Sequence, residues 1–184
     1  MVRSEFILGG QKSGKSRRAE ALARQWLLTQ TGHQAVLIAT GQAWDAEMRA
    51  RIARHQRDRA ERAPGLQTVE EPLGLADALL RYSCPQTLVV VDCLTLWLTN
   101  LLMPAHGAAL DAVAPTRALC QAIETAPGPV VLVGNEIGLG VIPMGREVRA
   151  FVDALGLLNQ SVAERCGRVT LMVAGLPMVL KEAA

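Results

Sequence analysis

An α/β sandwich built on a mainly parallel sheet, with helices on both faces, is the fold class this sequence predicts, and three observations predict it. Five short apolar runs recur, at residues 6–8, 35–40, 87–92, 130–134 and 169–174. Their lack of polar alternation is the pattern of strands covered on both sides. Helix-like stretches alternate with them, at roughly 15–30, 44–62, 74–82, 111–125 and 144–165, and that order calls for parallel strands joined by right-handed crossovers. Finally, the 184 residues are half hydrophobic and 20% charged, with no repeat and no linker, which suits a single domain over residues 1–184 with one buried core.

The first run, Phe6-Ile7-Leu8, opens into Gly9-Gly10-Gln11-Lys12-Ser13-Gly14-Lys15-Ser16 and a helical stretch. This matches G-x-x-x-x-G-K-[ST] in full and in its proper strand-to-helix setting. Glycines let backbone N–H groups turn inward around phosphate oxygens, and the helix start adds its positive dipole end. Lys15 is placed to reach the outer phosphates and the Ser16 hydroxyl to bind Mg²⁺. The fold class thereby narrows to a P-loop NTPase-like sheet of RecA type. The run 87–92 ends on Asp92, a carboxylate at a strand's end that suits the second protein ligand of the metal. Ligands of parallel sheets sit at the carboxyl ends of the strands, so the loops after Leu8, Thr40, Val91 and Val133 are where chemistry is expected. The Asn-Lys-x-Asp guanine motif of switch GTPases is absent, and Asp153-Ala154-Leu155-Gly156 lies inside a helical stretch. A molecular switch is disfavoured.

The stretch after the second run is the most basic in the chain. Six arginines, Arg49, Arg51, Arg54, Arg57, Arg59 and Arg62, fall there, and Met48, Ile52, His55 and Arg59 follow one another at helical spacing, so these four share a face. His55 has two readings from the residues alone. It is a surface histidine on a solvated basic helix, or it is a nucleophile kept neutral by the surrounding cations. An RNA-docking helix is disfavoured, because the stretch holds no stacking aromatic beyond Trp44. The net charge of +2 is too small to mark a nucleic-acid or membrane binder. Cys84, Cys93, Cys120 and Cys166 form no CxxC pair and read as reduced thiols of a cytoplasmic protein. No secretory signal and no run of membrane-spanning length is present. His33, in a Thr-Gly-His turn, and His106, in an Ala/Gly/Pro-rich loop, are assigned no role.

Taken together, several blocks resemble the bifunctional adenosylcobinamide kinase/adenosylcobinamide-phosphate guanylyltransferase family. They are Gly9 to Arg17 of the phosphate loop, Ala39-Thr40-Gly41-Gln42 with Asp45-x-Glu47-Met48, Arg51-Ile52-x-x-His55-x-x-x-Arg59, and Thr68-Val69-Glu70-Glu71-Pro72. Asp92-Cys93-Leu94-Thr95, Asn135-Glu136-Ile137-Gly138-x-Gly140-Val141-Ile142-Pro143 and Val173-Ala174-Gly175-Leu176-Pro177 follow. The likeness runs from Ile7 to about Leu180, and its Arg-Ile-x-x-His helix and Asn-Glu-x-Gly-x-Gly-x-x-Pro loop are its most specific parts.

That resemblance implies two reactions: phosphorylation of adenosylcobinamide by ATP or GTP, and transfer of GMP from GTP to adenosylcobinamide phosphate through a guanylyl-histidine at His55. It also implies nucleotide contacts from Gly9, Gly10, Gln11, Lys12, Ser13, Gly14, Lys15 and Ser16, from Thr40, Gly41 and Gln42, from Gln56, Arg57, Asp58 and Arg59, and from Glu70 and Asp92. Mg²⁺ at Ser16 and Asp92 and a homotrimer complete the implication. Leu66 stands where the family has an aromatic, after a slightly lengthened segment, and Gly134 where it has Thr. Asn135 and Glu136 read equally well as a functional pair at a strand end or as loop anchors, and Asn159, at helical spacing from Val148, Val152, Leu155 and Val162, as a partly buried amide in need of partners. The rival functions are a monofunctional P-loop kinase of another metabolite and a non-catalytic nucleotide-dependent binding module.

Overall fold

A computed structural model describes residues 3–182. Seven strands form one sheet in the order β3-β2-β4-β5-β1-β6-β7. In chain order the elements are β1 (Ser4–Gly9), α1 (Lys15–Thr29), β2 (Gln34–Ala39), α2 (Ala46–Arg62), β3 (Leu66–Glu70), α3 (Leu75–Tyr82) and β4 (Thr87–Asp92). Then come α4 (Leu94–Leu102), α5 (Val113–Thr125), β5 (Val130–Val133), α6 (Arg146–Arg165), β6 (Arg168–Val173) and β7 (Leu176–Glu182). Strands β1 to β6 pair in parallel, and β7 returns antiparallel along β6. The five apolar runs are β1, β2, β4, β5 and β6, and the expected parallel sheet is present.

Alternation along the central strands sends side chains to two cores. Phe6, Val89, Val91 and Leu132 pack with Leu79, Trp97, Leu119 and Leu158 of α3 to α6. On the opposite face, Ile7, Leu37, Val90 and Val131 pack with Ala19 and Ala23 of α1. Three elements were not expected from the sequence: β3, α4 and β7. Leu66–Glu70 is a mostly exposed edge strand, so it lacks the unbroken apolar run that marks its neighbours. Leu94–Leu102 is short and apolar almost throughout, a pattern in which helix and strand periods cannot be separated. Among the described residues no helix is long and apolar enough to cross a membrane.

Candidate active site at the strand ends

The loop between β1 and α1 has the backbone its glycines predict. Gly9 and Gly14 sit at φ 151° and 101°, and Lys12 joins them at 54°. A Cβ on Gly9 would lie 2.6 Å from the Met172 carbonyl oxygen, so no side chain fits. The loop is held from behind, where the Gly175 N–H of the β6–β7 turn donates to Ser13 O at 3.0 Å and the Glu136 N–H to Gly9 O at 3.2 Å. Neither support was foreseen, because both partners lie far along the chain. Lys15 donates to Gly10 O at 2.6 Å, and burial lowers its pKa while Cys93 and Asp92 oppose the shift. The buried Ser13 Oγ has no hydrogen-bond partner among the described residues, which fits a loop whose donors await phosphate oxygens.

Asp92 ends β4 beside this loop and forms no ion pair among the described residues. Thr40 locks that strand end in place. Its Oγ1 donates to Cys93 O at 2.7 Å and accepts from the Cys93 N–H at 2.9 Å. Its own N–H donates to Asp92 O at 3.1 Å, and its carbonyl accepts from Asn100 Nδ2 at 2.7 Å. Thr40 is completely buried. Every polar group of Thr40, expected to contact the nucleotide, is engaged within the protein, where it holds the chain at Asp92 and Cys93.

Helix α2 forms the facing wall. Asp45 caps it, accepting from the Met48 N–H at 2.6 Å, as an Asp at this position should. Arg62 ties its far end to α1 through Glu20, 3.3 Å away and 2% exposed at the side chain. Burial raises the pKa of Glu20, against the pull of Arg62. Between these ends Met48, Ile52, His55 and Arg59 face one cavity together with Gly41, Gln56, Thr68, Glu70 and Leu96. A second cavity is lined by residues Gln11 to Arg17 and by Arg51, Arg54, Asp92 and Asn135. His55, Ser16, Arg51 and Asp92 belong to both. His55 thus stands where a space lined by the β1–α1 loop meets a largely apolar one. Its pKa is lowered, first by burial, with Arg51 and Arg54 acting in the same direction and Asp92 and Asp58 against it. Cation repulsion, the cause expected from the sequence, is secondary to burial.

The remaining site expectations divide. Gln11, Lys12, Ser13, Gly14, Lys15, Ser16, Gly41, Gln56, Arg59, Glu70 and Asp92 all come together around His55. Gly9 and Gly10 shape the loop from beneath it. Gln42, Arg57 and Asp58 do not line either cavity. Arg57, expected to neutralise phosphate charge, is exposed on α2, and Asp58 pairs with Arg62 at 3.3 Å. Arg51 and Arg54 occupy the phosphate side instead, one helical face round from Arg57. Arg59, also expected on phosphate, lies on the apolar side and is buried.

This geometry can be set beside known proteins. Residues 5–180 match the family described as cobinamide kinase / cobinamide phosphate guanyltransferase. The chain is 49% identical over 177 residues to the bifunctional adenosylcobalamin biosynthesis protein CobP of Pseudomonas aeruginosa, covering 96% of each. It is 36% identical to the bifunctional adenosylcobalamin biosynthesis protein CobU of Escherichia coli, over 96% of this chain and 98% of that one. Among solved structures it resembles the flagellar accessory protein FlaH of Methanocaldococcus jannaschii, with a TM-score of 0.52 at 10% identity, over 98% of this chain and 79% of that one. The last likeness concerns the fold alone.

Proposed function

This chain belongs to the cobinamide kinase / cobinamide phosphate guanyltransferase family, and from that premise we propose that its strand-end cleft carries out both reactions, with His55 as the guanylyl carrier. The enzyme phosphorylates adenosylcobinamide and guanylylates the product in cobalamin biosynthesis. The observation that carries the assignment of roles is the position of His55 at the junction of two cavities. A triphosphate gripped by the phosphate loop, with its nucleoside in the apolar cavity, brings its α-phosphorus to that junction.

The kept-neutral imidazole then attacks. A P–N bond forms to the α-phosphorus, the bond to the bridging oxygen breaks, and pyrophosphate leaves. A phosphate oxygen of adenosylcobinamide phosphate attacks the same phosphorus, the P–N bond breaks, and adenosylcobinamide-GDP is released. Arg51 and Arg54 face the triphosphate side and offset its charge. Gln56, Thr68, Arg59 and Glu70 surround the nucleoside, and Glu70 suits the N–H edge of guanine. Ser16 and Asp92 would hold a magnesium ion. One hydroxyl and one unpaired carboxylate beside a phosphate site suit a cation that takes few protein ligands and completes its shell with phosphates and water. When bound it withdraws charge from the phosphoryl oxygens.

ATP and GTP are the nucleotide substrates in this reading, without nucleic acid and in the cytoplasm. A homotrimer belongs to it too, supported by apolar side chains left open to solvent on the loop after β5, where Val141 is 97% and Met144 94% exposed. Incubation with GTP labelled at the α- or the γ-phosphate tests the reading. Covalent α-label that survives alkali, is lost in acid and is absent from His55→Ala is expected. A protein that transfers γ-phosphate to adenosylcobinamide yet never retains α-label would be a kinase only.

A further inference from the structure

Asn135 lines the phosphate cavity but not the apolar one, and its main chain is closely held. Strand β5 lies between β1, which leads into the phosphate loop, and β4, which ends on Asp92. The chain leaving β5 keeps its pairing with β1 past the strand's end: the Gly134 N–H donates to Ile7 O at 3.0 Å and the Glu136 N–H to Gly9 O at 3.2 Å. Gly134 seats this segment against the Phe6 ring, from which a Cβ would be only 2.9 Å away. That contact is a physical reason for Gly at this position.

Asn135 itself is gripped from both sides through its main chain. Its N–H donates to Thr95 Oγ1 at 2.9 Å, and its carbonyl accepts from Asn159 Nδ2 at 3.1 Å. Asn159 is only 5% exposed. These bonds hold the Asn135 main chain, and the residue lines the phosphate cavity together with Lys15, Ser16 and Asp92. It takes no part in the apolar cavity beyond His55. Its neighbour Glu136 is different: that carboxylate accepts from the Gly138 N–H at 2.9 Å and shapes its own loop.

We propose that Asn135 binds the terminal phosphoryl group and the acceptor hydroxyl in the kinase reaction and is dispensable for guanylyl transfer to His55, with Thr95 and Asn159 as its positioning residues. This rests on the two-reaction reading above. A carboxamide offers Nδ2–H to a γ-phosphoryl oxygen and Oδ1 to the acceptor O–H, and its neutrality lets it sit beside phosphate without repulsion. The acceptor oxygen bonds to the γ-phosphorus as the bond to the β,γ-bridging oxygen breaks. The nucleoside diphosphate leaves, and the hydroxyl proton passes to an oxygen of the transferred phosphoryl group. The interaction is made at the outer phosphate, whereas His55 works at the innermost one, so the two reactions respond separately.

The test uses Asn135→Ala and the near-isosteric Asn135→Asp in the full chain. Each is assayed for γ-label transfer to adenosylcobinamide and for α-label retained on the protein. Loss of γ-transfer by about 100-fold, the usual cost of removing one donor from developing charge, with α-labelling kept, is expected for Ala. Asp is expected to lose at least as much, by repelling the phosphate. Retained α-label also reports that the variant is folded. Asn159→Ala is expected to raise the KM for adenosylcobinamide or lower kcat of γ-transfer, again with α-labelling unmoved. Equal loss of both labels in Asn135→Ala, or γ-transfer unchanged in either Asn135 variant, overturns the proposal. Absence of α-label from the unsubstituted protein would instead count against the guanylyl-histidine, leaving the γ-transfer result to be read by itself.

Discussion

The floor of the cleft and its α2 wall hold the proposed site residues by very different means. Under the phosphates, Thr40, Cys93 and Asn100 are buried and joined by hydrogen bonds that use every polar group of Thr40. Across the cleft, Arg59 is the only buried residue within α2, and the helix is tied to α1 through the partly exposed Arg62 and the buried Glu20. The phosphate loop and Asp92 thus rest on the folded core, whereas His55 is carried on a lightly anchored helix. Substitutions in the floor should touch stability and both reactions together. Those in the wall should separate one reaction from the other.

The sharpest way to break that contrast is His55→Ala. Guanylyl transfer and α-labelling should fall to background, while γ-phosphate transfer to adenosylcobinamide persists and thermal unfolding is unchanged. A parallel collapse of γ-transfer would mean that the wall, too, belongs to the common machinery. Next in size is Lys15→Ala in the floor, where both activities should drop by about 100-fold or more, since one cation serves the same phosphates in each reaction. Loss of only one activity would show that the two reactions do not share the loop.

A smaller effect tests the other half of the comparison. Thr40→Val removes the hydroxyl that both donates to and accepts from Cys93 and leaves the buried Cys93 N–H without its partner, while the Cys93 carbonyl keeps only the Trp97 N–H. A cost of roughly 1–3 kcal/mol is expected, seen as a fall of several degrees in Tm for a chain of this size. Activity of the protein that remains folded should be reduced in both assays alike, because Asp92 loses its support. An unchanged Tm would show that the floor is not built on this residue.

How far the site could be seen in advance follows the same division. The phosphate loop is contiguous, and its glycines and lysine state their purpose in eight residues. Helical spacing was enough to place Met48, Ile52, His55 and Arg59 on one face, and they line one cavity. For Thr40 the local sequence marks a site position but not its bonds to Cys93, 53 positions away. Asn135 was equivocal for the same reason: Thr95 and Asn159 reach it over 40 and 24 positions, and no local pattern announces such a bond. The fold was legible where strands are buried on both faces and illegible at β3 and β7, whose side chains are largely exposed.

The smallest effect concerns the charge on His55. Only neutral imidazole attacks phosphorus, so α-labelling should rise with pH and level off once His55 has lost its proton. Because burial lowers the pKa of His55 below the ordinary 6.5, the midpoint should fall below that value and the rate should be flat from neutrality upward. The same sign applies to stability: the unfolded chain takes up this proton before the folded one does, so lowering the pH through about 6.5 favours unfolding. Arg51→Ala sharpens the test. Its guanidinium opposes protonation from the phosphate side, so its removal should move the midpoint upward while burial still holds it under the ordinary value. A midpoint above 6.5 in the unsubstituted protein would mean that Asp92, which favours the charged ring, outweighs burial, and that the wall presents an imidazolium to the nucleotide.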